Sequence, residues 1–212
     1  MTFLKISGTL LLLLLAANLW WRGSSRRRSL PCPTIFAGFL ESAWMERLIG
    51  TQVTLDRIGL EPGQRVLEVG VGPGRLLIPA AERVLPGGEV SGLDIQPGMI
   101  ERLKARADRS DVSNLTTVIG DATQPHFPTG SFDVIFLCTV LGEIPDRVAA
   151  LQQCYEALKD DGRLSITEIF PDPHFQSRTT VQRLAKSVGF RPQTIHGQWY
   201  FHTINFIKNG EA

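Results

Sequence analysis

The stretch "RVLEVGVGPGRLL", residues 65–77, limits what this chain can fold into more than any other. An apolar run ends at an acid, Glu68, and a valine. Gly70, Gly72 and Gly74 follow at alternate positions, and then a second apolar run begins. Two segments that gain by burial are thus joined by residues with the greatest backbone freedom. Glycine permits positive φ and lets a ligand approach the main chain with no Cβ in the way. A helix that starts after such a loop turns unbonded N–H groups toward that ligand. The stretch reads as strand, tight turn and helix, with a polar ligand at the turn.

The rest of the chain repeats this alternation. "EVSGLDI" reads as a strand, "GMIERLKARADR" as a helix, "LTTVIGD" as a strand and "FDVIFLCTVL" as a strand buried on both faces. "DRVAALQQCYEALK" is a helix capped by Asp146, "GRLSITEIF" a strand, and "SRTTVQRLAKSVGF" a helix closed by Gly189. "QTIHGQWYFHTINFIK" reads as a C-terminal hairpin. Ahead of the glycine loop, residues 35–58 carry apolar side chains at helical spacing, with a break near Gly50. This order predicts an α/β fold, a Rossmann-like, mostly parallel sheet with helices on both faces and an antiparallel hairpin at one edge. Ligands of such sheets bind outside the carboxyl ends of the strands.

At 212 residues the chain suits one domain, residues 35–212, with a short extension before it. Its 22 basic and 21 acidic residues leave a net charge of +1, which argues against a nucleic-acid surface. Cys32, Cys138 and Cys154 are odd in number and fit no metal-ligand spacing, so neither a disulfide framework nor a metal site is expected. The run "ISGTLLLLLLAANLWW", residues 6–21, has no charged side chain; Arg22 and Arg26, Arg27 and Arg28 follow it. Sixteen uncharged residues are near the lower limit for crossing a hydrocarbon core, and Trp20 and Trp21 stand where an interfacial aromatic belt would. Residues 1–22 are therefore expected to be a membrane anchor and 23–34 a basic linker, with a helix lying in the interface as the alternative. "AANLWWRG" is a poor cleavage site for a signal peptide. The arginines after the run would keep the domain on the cytoplasmic side.

Two cofactor classes use a glycine loop of this kind. A dinucleotide fingerprint requires GxGxxG, and here Arg75 stands where its third glycine belongs. "LEVGVGPG" closely resembles the first motif of the class I S-adenosylmethionine-dependent methyltransferases. Asp94 closes the second strand 20 residues after Gly74, where a carboxylate can accept bonds from both ribose hydroxyls of a nucleoside. Asp121 and Ala122, after the third strand, resemble the position at which that family reads adenine. The layout of Pro125, Phe127, Phe132 and Asp133 resembles the ubiquinone and menaquinone C-methyltransferases. "EALKDDGRL" resembles their turn before the fifth strand, with Asp160 and Asp161 where proline and glycine are common.

The resemblance implies a seven-stranded sheet that binds S-adenosylmethionine across its first three strand ends. In that reading Glu68 anchors the cofactor's ammonium, Gly70, Gly72 and Gly74 make room for its methionine and ribose, Asp94 holds the ribose, Ile95 packs on the adenine, and Asp121 and Ala122 read the base. Cys138 and Thr139 line the reactive end. A general base is needed only where the acceptor must lose a proton; Glu143 is the first candidate, then Glu168 and His174, with His126, Asp172 and His202 further off. Tyr155 and Lys159 match a dehydrogenase spacing, but they lie on an amphipathic helix and read as structural. The apolar N-terminal run suggests a small, lipophilic acceptor such as a quinone precursor or a phospholipid amine. Two alternatives stay open: an NAD-dependent oxidoreductase, and a binding module that holds the cofactor without turnover.

Overall fold

The computed structural model describes residues 46–210 apart from 48, 49, 111 and 171. The expected anchor, the linker with Cys32, and the helical pattern over 35–45 lie outside the described residues. Among the described residues no helix is long and apolar enough to cross a membrane.

Seven strands form one sheet: β1 (Arg65–Val69), β2 (Glu89–Asp94), β3 (Leu115–Ile119), β4 (Phe132–Cys138), β5 (Leu158–Ile169), β6 (Phe190–Gln198) and β7 (Phe201–Lys208). Five helices are described: α1 (Thr51–Ile58), α2 (Leu77–Arg83), α3 (Pro97–Ala107), α4 (Arg147–Ala157) and α5 (Arg178–Ser187). The strand order is β3-β2-β1-β4-β5-β7-β6. The first five strands pair in parallel, and β7 pairs antiparallel with both β5 and β6. This is the α/β arrangement that the sequence predicts, with one refinement: the last strand of the hairpin inserts beside β5, and β6 forms the edge. Strand order reverses between β1 and β4, and a crevice opens there at the carboxyl ends.

The two sheet faces carry separate cores. Val66 of β1 and Val134 and Phe136 of β4 pack with side chains of α1, α2 and α3. Leu67, Val69, Ile135, Leu137, Leu164 and Ile166 point the other way and pack with α4 and α5. Alternation of side chains along each strand makes this division. The helix ends follow the expected capping: Asp146 accepts the Ala149 N–H at 3.0 Å, and Ser177 accepts the Thr180 N–H at 3.3 Å. Gly50, at φ 64°, ends one helical turn and precedes α1, which is the break expected near it.

One expectation fails in detail. The segment before the fifth strand is not a free turn, because β5 begins at Leu158. Leu158 pairs with Phe132 and Arg163 with Val134, so Lys159–Gly162 bulge within the strand. Lys159 reaches from the bulge to Asp133 at 2.6 Å, and Tyr155 packs edge-to-face on Phe190. Those contacts give Tyr155 and Lys159 structural roles, but the helix expected to carry both ends at Ala157 and Lys159 belongs to β5.

Gly74 marks where packing dictates glycine. It sits at φ 81°, and a Cβ there would fall 2.2 Å from Cδ1 of Leu103 on α3. Left-handed backbone costs an L-residue roughly 1–2 kcal/mol, and Leu103 must also shift. We expect Gly74→Ala to lose about 1–2 kcal/mol of stability in urea unfolding, with the slope of the transition unchanged.

Candidate cofactor cleft

The glycine loop is fastened to the neighbouring strand before any ligand is considered. The N–H groups of Gly70 and Val71 donate to the Leu93 carbonyl at 2.7 and 3.1 Å. Asp94, at the tip of β2, accepts the Gly72 N–H at 2.8 Å on one oxygen and the Gln96 N–H at 2.9 Å on the other. Arg106 of α3 donates to the Pro73 carbonyl at 2.8 Å. These bonds hold the loop open over the switch point. Beneath it lies a cleft of about 280 Å³.

The structure brings most of the expected residues into this one cleft. Glu68, Gly70 and Gly72 form its floor, Asp94 and Ile95 one side, Asp121 and Ala122 the next, and Cys138, Thr139 and Glu143 the far end. Gly72, at φ 52°, has open space where a Cβ would stand. Gly70 and Gly74 do not: Val140 and Leu103 occupy those volumes, and Gly74 does not line the cleft. The expectation that all three glycines make room for a ligand is thereby corrected, since two of them make room for neighbouring side chains.

Glu168 and His174 do not line the cleft either. Glu168 shares the parity of Leu164 and Ile166, so strand alternation turns it to the α4–α5 face. There it accepts the Gln176 N–H at 3.1 Å. The His174 N–H donates to Asp172 at 2.6 Å, and Asp172 is the residue of that loop which reaches the cleft wall. His202, opposite Glu168 in the β5–β7 register, is buried against Phe175. His126 sits outside, with its ring nitrogen 2.8 Å from the Asp121 carbonyl.

The sequence reading missed Arg75. It noted only that this position is not glycine, yet the side chain lines the cleft. Its guanidinium donates to Thr51 Oγ1 at 3.2 Å and approaches Cys138 Sγ at 3.7 Å. It forms no ion pair among the described residues. Met99, Val140, Ile144 and Pro145 complete the apolar part of the wall, and no motif marks them.

Glu68 and Glu168 are both deeply buried acids, and Glu68 is the one that lines the cleft. Burial pushes its carboxyl well above the usual range, Arg75 and the Leu77 N–H draw it back, and Asp94 pushes it further up. Its Oε2 is buried with no hydrogen-bond partner. Burial also raises Asp94, against the pull of the Gln96, Gly72 and Ile95 N–H groups. Burial pushes the Cys138 thiol up to about 12, so it is a neutral wall residue at pH 7 and no nucleophile. Thr139, at φ 58°, is a strained non-glycine residue at the end of β4, held by its N–H on the Thr167 carbonyl at 2.8 Å.

Comparison with known proteins matches this geometry to a family. Residues 66–162 match the family described as "Methyltransferase domain". The match covers a little under half of the chain and includes the glycine loop and strands β1 to β4. Over 119 residues, 56% of the chain, it is 39% identical to nocamycin O-methyltransferase of Saccharothrix syringae, covering 42% of that protein. Over 160 residues, 72% of the chain, it is 32% identical to demethylmenaquinone methyltransferase of Beutenbergia cavernae, covering 63% of that protein. The chain thus spans less than two thirds of the length of these curated relatives. A solved methyltransferase structure from Aquifex aeolicus superposes with a TM-score of 0.77 over 82% of this chain and 98% of that one, at 19% identity, which shows a shared fold.

S-adenosylmethionine is the cofactor that the family match and the fold imply, and the cleft fits it on two observations. Among the described residues, an acid with an unpartnered oxygen adjoins an arginine that forms no ion pair, which suits an α-amino acid terminus. The open volume at Gly72 beside Asp94 suits a ribose.

A carboxyl held above its ordinary pKa binds its proton more tightly folded than unfolded. Its contribution to stability therefore falls as pH rises from the ordinary value of 4.5 toward the raised one. We expect Glu68→Gln to leave the cofactor-free chain about as stable at pH 4 and to make it more stable than the wild type at pH 7. Urea unfolding at both pH values measures the difference.

Proposed function

We propose that this chain transfers a methyl group from S-adenosylmethionine to a small, lipophilic acceptor, and that it works at a membrane. The observation that carries the transferase reading is the convergence of Glu68, Asp94, Asp121 and Arg75 on one cleft at the switch point. Bound S-adenosylmethionine supplies an activated methyl group on a sulfonium. The residues of the chain then have positioning work, and much of the acceleration can come from that alone.

In this reading Glu68 receives the ammonium on its buried oxygen, and Arg75 receives the carboxylate of the same amino-acid terminus. Asp94 keeps lone pairs for the ribose hydroxyls after binding the loop. Asp121 holds one oxygen on the Thr123 N–H at 2.9 Å, which aims the carboxylate at the base, and Ala122 offers its backbone beside it. Ile95 is exposed on the cleft rim and covers the adenine. Glu143, on a short 3-10 turn after β4, is the carboxylate at the acceptor end and takes the proton of an acceptor that must lose one. Glu168 and His174 are positioning residues that brace the loop carrying Asp172.

Three things support a lipophilic acceptor. The acceptor end of the wall is built from Cys138, Val140, Ile144 and Pro145. Relatives are named for demethylmenaquinone and, in Streptomyces, for aklanonic acid. The uncharged run 6–21 and its arginines fit a membrane anchor with the domain on the cytoplasmic side.

Calorimetry on the full chain in detergent tests the reading. S-adenosylhomocysteine is expected to bind and NAD not to. Asp94→Ala should weaken binding by about 1.5–3 kcal/mol, the worth of hydrogen bonds to a charged group. Arg75→Ala should weaken S-adenosylhomocysteine but leave 5′-methylthioadenosine, which has no amino-acid tail, unaffected; equal losses would reduce Arg75 to a structural residue. For the acceptor, incubation with labelled cofactor and a membrane lipid extract should move label into the organic phase. Label confined to the aqueous phase would remove the lipophilic acceptor and leave the transferase reading standing.

A further inference from the structure

The C-terminal third of the domain has a composition that neither the cofactor cleft nor the core requires. Residues 173–210 contain no aspartate or glutamate, although the whole chain has 21, and they carry Arg178, Arg183, Lys186, Arg191 and Lys208. Lys208 is satisfied at the far end of the sheet by Asp160 and the Leu158 carbonyl. At the cleft end, the β6–β7 turn presents Trp199 and Tyr200, 65% and 48% exposed, with Ile195 46% exposed on the strand below. Trp199 packs edge-to-face on Tyr200 and on Phe170, each at 5.4 Å. Phe170 donates its N–H to the Tyr200 carbonyl at 2.6 Å, which ties the turn to the loop that carries Asp172 into the cleft. Two arginines flank the turn, one from each face of the sheet. Arg178 of α5 donates to the Gly197 carbonyl at 2.6 Å, and Arg57 of α1 lies 4.4 Å from the Phe201 ring centre. Neither pairs with a carboxylate among the described residues.

We propose that the Trp199–Tyr200 turn, with Arg57 and Arg178, is a second membrane contact, which seats the domain on an anionic phospholipid surface with the cleft mouth toward the lipid. Exposed Trp and Tyr rings beside arginines, on a segment that carries no acid from 173 to 210, match the headgroup layer, where an aromatic body sits among acyl carbons and cations meet phosphate. The uncharged run 6–21 and the arginines after it point to the same kind of surface from a separate part of the chain. A second copy of the chain is the weaker occupant. The β6 edge beside the turn carries Arg191 and Pro192 and a register shift between Pro192 and Thr194, devices that block edge-to-edge pairing. The contact rests on the membrane part of the reading above and is independent of the cofactor part.

The test uses the full chain with Trp20, Trp21 and Trp44 replaced by Phe, so that Trp199 is the one remaining tryptophan. Vesicles of brominated phosphatidylglycerol should quench its emission, and brominated phosphatidylcholine alone should do so much less. Arg178→Gln should raise the lipid concentration for half-quenching about fivefold, the effect of one cation at an anionic surface. Vesicles that carry the chain in flotation without quenching Trp199 would overturn the proposal, as would a chain that does not float. A shift of Trp199 emission with protein concentration alone, or with an oligonucleotide in place of lipid, would also overturn it and point to a second copy or a nucleic acid. Where the triple variant melts unlike the wild type, the quenchable emission of the wild type minus that of Trp199→Phe gives the same readout. S-adenosylhomocysteine binding in the same preparations reports separately on the transferase reading.

Discussion

The Asp94 carboxylate on the Gly72 N–H is the interaction from which the rest of the cleft follows. A glycine loop left to itself has many conformations, and fixing backbone costs about 1–2 kcal/mol per residue. Asp94 spends one oxygen on the loop and the other on the Gln96 N–H that opens α3. One side chain therefore sets the direction of the β1–α2 turn and the start of the next helix together. Charge-assisted bonds of this kind offset the cost of holding a carboxylate in a buried position. Because each carboxylate oxygen has a second lone pair, the group that shapes the cleft can still bind within it.

Strand alternation then decides which acids can act together. Glu68 and Cys138 project on the side of the sheet covered by α1, α2 and α3, where the cleft opens. Glu168 projects on the other side. Burial raises its carboxyl, as for Glu68, and Asp172 and Glu143 raise it further, while the Gln176 N–H and Arg147 oppose them. The two buried acids have similar electrostatics, and each keeps one buried oxygen without a partner among the described residues; their prospects differ because Glu68 lies at the wall of the cleft and Glu168 braces a loop. His202 follows the same logic. Burial and Arg178 lower it to about 4, against the pull of the Trp199 backbone, so it stays neutral beside Phe175 at physiological pH.

Much of this was legible in the sequence because the signals were periodic or punctuated. The "RVLEVG" run, the N-cap at Asp146 and Gly189 at the end of α5 each carry a local physical requirement, and the elements form where those requirements fall. The acids at the tips of β1 and β2 could be placed for the same reason: a strand end followed by a turn is a fixed place in a parallel sheet. What could not be read was long-range. Nothing local distinguishes a glycine facing a ligand from one facing Val140 or Leu103, since both need positive φ. The face that Glu168 takes depends on register, and the bulge at Lys159–Gly162 changes register without a turn signal that the sequence distinguishes from a loop. Arg75 was passed over because its position was judged by what it lacked.

That substitution bears on which ligand the cleft prefers. In a dinucleotide loop the third glycine permits close packing of helix on strand. Here Gly74 already provides the close approach, to Leu103, so the next position is free to carry a large side chain. The charges around it work in the same direction. Among the described residues five carboxylates line the cleft, Glu68, Asp94, Asp121, Glu143 and Asp172, against one cation, Arg75. A pyrophosphate would bring two negative charges into that field near two buried acids, and like charges brought together in a desolvated site cost several kcal/mol. A sulfonium with an amino-acid tail brings two positive charges and one negative. In the proposed reading its ammonium meets Glu68, its carboxylate meets Arg75, and its positive sulfonium sits in a field of opposite sign. Cofactor choice in this cleft is therefore made by exclusion as well as attraction, through the sign of the wall as much as the shape of the loop.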